Sequence, residues 1–455
     1  MQKFINRIYS RFQFKGQFRS VNTKKNIALL FVFNGFNFLF NLIIVRLTLD
    51  YLGKTEYGIW LTMSAVLTWF SYLDFGLGNG LRNKLTEALT RNDNSKAKIY
   101  VSTTYAVFSG GIFLIIIIFL MIYKFINWIS IFRAPAYLNH EIEILITFSF
   151  IFFLVQYVLR LLSFIVTADQ KPAINGFFSF SINFLTVVFI YLLLRFSKPS
   201  IVFLGIGSTF IPVAVFLAAS IILFSKKYKQ FSPSFKFVKL IYLKDLAGLG
   251  IKFFIIQAAT LIVLATDNMI ITQLFGPGEV TIYNIAFKYF NYIPIVFYVL
   301  LTPLWSAYTE AYLLEDFQWI KNAVNKILKI WILLSILVII MILAANRMYV
   351  IWLNSKIEVP LLLTILMGLF AIVSNWNNIF AYFLNGVGKI RISLYYSVFI
   401  GIINIPLSVI FAKNFNMGIS GVIAATLVCL LIGSVWAPVQ YYKIINKKDS
   451  GIWSK

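Results

Sequence analysis

Twelve long apolar runs dominate this 455-residue sequence, near 26–47, 58–76, 100–122, 143–166, 174–194, 201–224, 249–274, 281–303, 325–344, 361–384, 392–411 and 418–441. A helix rises 1.5 Å per residue, so roughly 20 apolar residues cross the hydrocarbon layer of a bilayer. Inside lipid every backbone N–H and C=O must find a partner within the protein, which leaves helices and closed barrels. A barrel needs alternating strands of about ten residues, and these runs do not alternate. Hydrophobic residues make up 60% of the chain and charged residues 12%, with a mean hydropathy of +0.84. Soluble domains carry about a quarter charged residues. The sequence therefore predicts an all-α membrane protein with twelve transmembrane helices.

A short pattern recurs at an offset of 223 residues. Gly53, Glu56 and Ile59 return as Gly276, Glu279 and Ile282, and Thr86-Glu87-Ala88 with Asp93 return as Thr309-Glu310-Ala311 with Asp316. With the Leu77/Leu300 and Leu81/Leu304 pairs, nine of 41 aligned positions are identical. A glycine turn, an acidic tip and a polar exit helix at one offset imply two equivalent halves of six helices. In a membrane chain such halves point to a transporter with its site between them.

The net charge of +24 is unevenly distributed. With the N-terminus inside, the outer loops hold eight basic residues: Lys54, Lys124, Arg133, Arg195, Lys198, Arg347, Lys356 and Lys413. Four lie in spans, and the remaining 28 of the 40 are cytoplasmic. The positive-inside rule puts both termini in the cytoplasm, so the two six-helix bundles share one orientation and relate by a pseudo-twofold along the membrane normal. The expected divisions are a basic cytoplasmic or interfacial arm (1–25), an N-terminal bundle (26–224), a basic cytoplasmic linker (225–247), a C-terminal bundle (248–441) and a cytoplasmic tail (442–455). In the arm, Lys3, Arg7, Arg11, Lys15 and Arg19 fall four apart and make one basic face. No short apolar core with a small-residue cleavage site precedes the first span, so no signal peptide is expected.

These charges sit on the membrane rim, where anionic lipid and the insertion rule account for them, and no nucleic-acid partner is expected. Cys429 is the only cysteine and His140 the only histidine. No zinc cluster, Ser-His-Asp triad or Cys-His pair can be assembled from them. Gly76-Leu77-Gly78-Asn79-Gly80 lacks the strand and lysine of a phosphate loop. The chain reads as a non-enzyme without cofactor or metal, and it has no segment to house a nucleotide-binding domain.

Charges within spans are the strongest functional candidates, since one at mid-bilayer costs about 2.5–3.5 kcal/mol. They are Arg46, Asp74, Arg160, Lys252, Asp267 and Lys288. Arg46, Arg160 and Lys252 could instead snorkel to an interface, and Asp74 could sit at a helix exit. Asp267 and Lys288 flank the Gly276-Pro277-Gly278 tip by about ten residues each and are expected to line a cavity or to pair in the interior, directly or through water. Four cations against two acids suit an anion such as a phosphate or diphosphate. Asn34, Asn37 and Asn41 share a helical face; they read either as a polar wall for sugar hydroxyls or as interhelical hydrogen-bonding groups.

Particular motifs carry a family resemblance. They are Tyr51-Leu52-Gly53 with Tyr57-Gly58-Ile59-Trp60, then Asp74-Phe75-Gly76-Leu77-Gly78-Asn79-Gly80-Leu81-Arg82-Asn83. The second half adds Asp267-Asn268-Met269-Ile270-Ile271, Gly276, Glu279-Val280, Tyr283-Asn284-Ile285-Ala286 and Asn385-Gly386-Val387-Gly388-Lys389. With these the sequence resembles the bacterial polysaccharide-unit flippases (O-antigen, Wzx type) of the multidrug/oligosaccharidyl-lipid/polysaccharide exporter superfamily. The resemblance implies a V-shaped pair of bundles in the bacterial inner membrane. It also implies movement of undecaprenyl-diphosphate-linked glycan units to the outer leaflet, with polysaccharide polymerase, glycan-assembly proteins and membrane lipids as partners of a monomer. Only Asp267, an ion-coupling candidate, is carried over by motif. Arg46, Arg160, Lys252, Lys288, Asn34 and Asn37 are substrate-binding candidates from depth, sign and spacing. The alternative expectation is a cation-coupled drug or metabolite exporter of the same superfamily; a non-transporting scaffold is a third.

Overall fold

The computed structural model describes residues 21–70, 77–91, 93–169, 171–243, 266–354 and 357–454. The arm up to residue 20, Asp74, Lys252, and most of the run read at 249–274 lie outside the described residues.

Every regular element among the described residues is helical. In the first half α1 is Val21–Trp69, α2 Leu77–Thr90, α3 Asn94–Ile122, α4 Trp128–Phe132, α5 Asn139–Leu159, α6 Leu161–Ala168, α7 Pro172–Phe196 and α8 Ile201–Ser225. In the second, α9 is Asp267–Phe275, α10 Pro277–Leu313, α11 Phe317–Leu353, α12 Leu361–Val387, α13 Arg391–Val409 and α14 Ile419–Ile445. Ten helical segments of the described residues are long and apolar enough to cross a membrane. The chain is a multi-pass membrane protein. The apolar runs mark only the hydrocarbon crossing, so helices with polar ends extend past them. The run at 325–344, for example, sits inside the 37-residue α11.

The repeat is visible in local geometry. α1 is broken at Gly53, with φ 75° and ψ −179°, and α9 ends at Gly276, with φ 95° and ψ 163°. Both conformations belong to a region that only glycine tolerates. Further on, Asp93 caps α3 by accepting from Lys96 N at 2.9 Å, and Asp316 caps α11 by accepting from Trp319 N at 2.9 Å. Their own amides donate to Ala88 O and Ala311 O, each at 2.9 Å. Each cap satisfies an orphan N–H of the helix it opens. The matched residues therefore do the same work at the same offset.

Among the described residues the apolar core has three large clusters and a small fourth of Ile400 and Cys429. One cluster joins both halves, with Val45, Ile59 and Met63 of α1 packed with Ile271, Ala286 and Phe290 of α9 and α10. A second belongs to the second half alone, around Phe297, Leu301, Tyr308, Ile320 and Phe383. A third belongs to the first half, around Leu81, Leu85, Leu162, Ile165 and Phe216. The halves share a core near the Gly53 and Gly276 tips and have separate cores farther from them.

Candidate functional site: the seam between the hairpin tips

The seam begins at the tips. Lys54 Nζ lies 2.9 Å from Glu279 Oε1, and Thr281 Oγ1 donates to Lys54 O at 2.7 Å. A Cβ on Gly58 would fall 1.7 Å from the Pro277 carbonyl oxygen. Only a bare backbone permits that approach. Below it the Thr62 and Thr272 hydroxyls are 2.6 Å apart and fully buried. Gln273 Nε2 donates to Ile131 O at 2.6 Å, tying α9 to α4.

Deeper along α10, Lys288 Nζ donates to the Tyr57 hydroxyl at 3.3 Å and lies over the Tyr57 ring. Tyr57 is 2% exposed, and Lys288 is half-buried. One turn further, the Tyr292 ring meets Phe38 of α1 edge-on, with centroids 3.9 Å apart. The cation thus sits where α1 faces α10, with a neutral phenol as its hydrogen-bond partner. Among the described residues it has no carboxylate within ion-pair distance.

Asp267 opens α9 and is 4% exposed. Tyr283 donates to its Oδ2 at 2.5 Å, and its Oδ1 has no partner among the described residues. Asn284 Nδ2 donates to Asn268 Oδ1 at 2.8 Å, one step along the same hairpin. Among the described residues, the direct Asp267–Lys288 contact allowed by the sequence does not form. Residues 267 and 268 meet 283 and 284 across the tip, and this register leaves Lys288 more than a turn farther from the tip than Tyr283. Tyr57 and Tyr283 are the partners that sequence reasoning missed. Both stood in the quoted motifs, but an apolar context gives a tyrosine no mark of what its hydroxyl will meet.

The remaining candidates scatter. Arg46 is exposed and shares a stripe, at 3–4 spacing, with the exposed Val32, Phe36, Leu39 and Ile43. Nine residues separate it from Asn37, which places the two on opposite sides of α1. Asn37 Oδ1 accepts from Asn183 of α7 at 3.0 Å, and Asn41 donates to Asn37 O at 2.7 Å. Asn37 thus makes an interhelical bond, whereas the Asn41 bond stays within α1. Asn34 is exposed on α1, and Arg160 is exposed at the junction of α5 and α6.

Residues 253–410 match the MatE family model. An inward-facing multidrug-resistance MATE family transporter of the MOP superfamily superposes with a TM-score of 0.72 at 17% identity, over 91% of this chain and 96% of that one. The fold is that of the MATE transporters. An outward-facing structure with the same description aligns less closely, with a TM-score of 0.64 at 14% identity over 95% of this chain and 98% of that one. In sequence, a Yersinia pseudotuberculosis protein named for O-antigen export is 24% identical over 89% of this chain and 92% of its own length. The resemblance carried by the tip and exit motifs is thus found again over nearly the whole chain. The likeness in fold and the likeness in sequence to the O-antigen relative each span nearly the whole chain.

Proposed function

We propose that this chain is a flippase. It moves undecaprenyl-diphosphate-linked oligosaccharide units from the inner to the outer leaflet of the bacterial inner membrane, for O-antigen or other surface polysaccharide. Lys288 carries the reading. A half-buried ammonium between α1 and α10 that bonds a neutral phenol keeps its charge available for an anion from outside the protein. A diphosphate offers several anionic oxygens, and charge-assisted bonds to them offset the cost of a cation in the bilayer. The relative named for O-antigen export supports the same substrate class.

Movement is by alternating access without covalent chemistry. The tips seal one end of the seam, the periplasmic end in the orientation given by the basic rim, while the halves part at the other. The closer agreement with the inward-facing relative supports that state. The lipid tail stays in the bilayer while the diphosphate and sugars pass between the halves. Asp267, buried and with one carboxylate oxygen unpartnered among the described residues, is the candidate for ion coupling.

The test is complementation of a flippase-deficient strain. Lys288→Ala should abolish surface glycan at unchanged protein level, and Lys288→Arg should retain part of it. Full surface glycan in the Ala variant, expressed no higher than the parent chain, overturns the role of Lys288. Binding of cationic dyes without binding of a lipid diphosphate would favour the drug exporter instead.

A further inference from the structure

The part 225–242 of the segment joining the halves contains Lys226, Lys227, Lys229, Lys236 and Lys239; the linker's one acidic residue, Asp245, follows beyond it. Lys227 is engaged by Asp169 at 2.5 Å; the other four are exposed. Three large apolar side chains stand out between them: Phe235 is 92% exposed, Ile241 80% and Leu240 65%. In water, three such side chains on a well-anchored segment would be anomalous.

The segment has a fixed depth. Ser234 N donates to Ser102 Oγ at 3.1 Å, and Lys239 N donates to Thr103 Oγ1 at 3.0 Å. The Tyr242 ring packs edge-on against Tyr100, with centroids 5.5 Å apart. These contacts pin the segment to α3. From Ile122, the last residue of α3, back to Ser102 is about 30 Å of helix, which is roughly one hydrocarbon thickness. Ser102 and Thr103 therefore mark the near edge of the hydrocarbon. The segment strapped to them lies at headgroup level.

We propose that residues 225–242 form an interfacial anchor that binds anionic phospholipid headgroups through Lys226, Lys229, Lys236 and Lys239. Phe235, Leu240 and Ile241 enter the acyl boundary beside them. Lysine beside exposed aromatic and aliphatic side chains is the composition of interfacial segments. The anchor fixes the connection between the halves to the membrane plane, and it stands independently of what the seam carries.

The experiment uses the full chain in lipid nanodiscs. Phe235→Cys is spin-labelled; native Cys429 is 1% exposed and escapes the label. The label should be accessible to oxygen and shielded from a water-soluble nickel chelate. A label fully open to the chelate overturns the proposal, and would leave the exposed side chains to a soluble protein partner. In parallel, retention of phosphatidylglycerol against phosphatidylcholine is measured for Lys226→Gln, Lys229→Gln, Lys236→Gln and Lys239→Gln, singly and combined. Each substitution should weaken the anionic preference by about fivefold. An unchanged preference in the combined variant refutes the headgroup contact.

Discussion

Gly58 shows how one residue can set an interface. It lies in a motif that the sequence displays plainly, yet its reason is invisible there, because the Pro277 carbonyl it admits is 219 positions away. Gly58→Ala should force the tips apart, since overpacking at a rigid backbone costs about 1–3 kcal/mol. The yield of a disulfide between Thr62→Cys and Thr272→Cys reports that separation, and it should fall on adding Gly58→Ala. An unchanged yield would mean that the backbone yields without opening the seal. The charges tell a similar story. Depth and sign in the sequence brought out Lys288 and Asp267, but not whom they meet, because a hairpin register is a property of the tip rather than of either residue. Arg46 illustrates the opposite limit: depth along a helix is legible, whereas which face meets the interior depends on neighbours.

Helical elements were largely legible, because apolar length and caps are local. The clamps that hold them were not. In the first half Asp169, between α6 and α7, binds Lys227 just past α8, with Lys171 at 2.9 Å. In the second half Lys389, between α12 and α13, binds Asp449 just past α14 at 2.5 Å. The joint is equivalent and the charges are exchanged, so a search for identical residues passes over it. Each clamp fixes a loop to the end of a later helix. The Lys389 and Asp449 side chains are each 14% exposed, so removing one strands the other. Lys389→Met should cost roughly 2 kcal/mol, and Lys389→Met/Asp449→Leu less than that, because the matched deletion strands no charge. Thermal unfolding in detergent checks the order, and a double variant worse than the single would contradict it. The Asp169 clamp adds a pH signature. Burial opposes its charge, but hydrogen bonds from Lys227, Lys171 and Tyr228 outweigh burial and hold the carboxyl below its ordinary 3.8. A lowered carboxylate contributes stability above that value, which is lost as pH falls through the folded one. Stability from this clamp should therefore persist to about pH 4 and fade below it. Asp169→Asn should flatten that acid limb.

At the scale of the molecule, one core cluster near the tips joins residues from both parts of the chain, and two others each lie within one part. The repeat was legible because identity survives wherever backbone geometry is demanding, at Gly53/Gly276 and Asp93/Asp316. It did not show which residues the tips bring together, since that depends on contacts far apart in the chain. Over the shared apolar core lie short polar and backbone contacts, among them Lys54 with Glu279, the Gly58 backbone against Pro277, and Thr62 with Thr272. Most of them are neutral or partly exposed, and the ion pair is screened by solvent, so each contributes little. If the tips must part for release, tying them should stop transport. The Thr62 and Thr272 oxygens are 2.6 Å apart, close to the sulfur separation of a disulfide. Oxidised Thr62→Cys/Thr272→Cys should therefore lose surface glycan, and reduction should restore it in the same cells. The single-cysteine variants should export normally under oxidant. Full export from a quantitatively cross-linked protein would show that the tips stay together throughout the cycle, and the release path would then have to lie elsewhere.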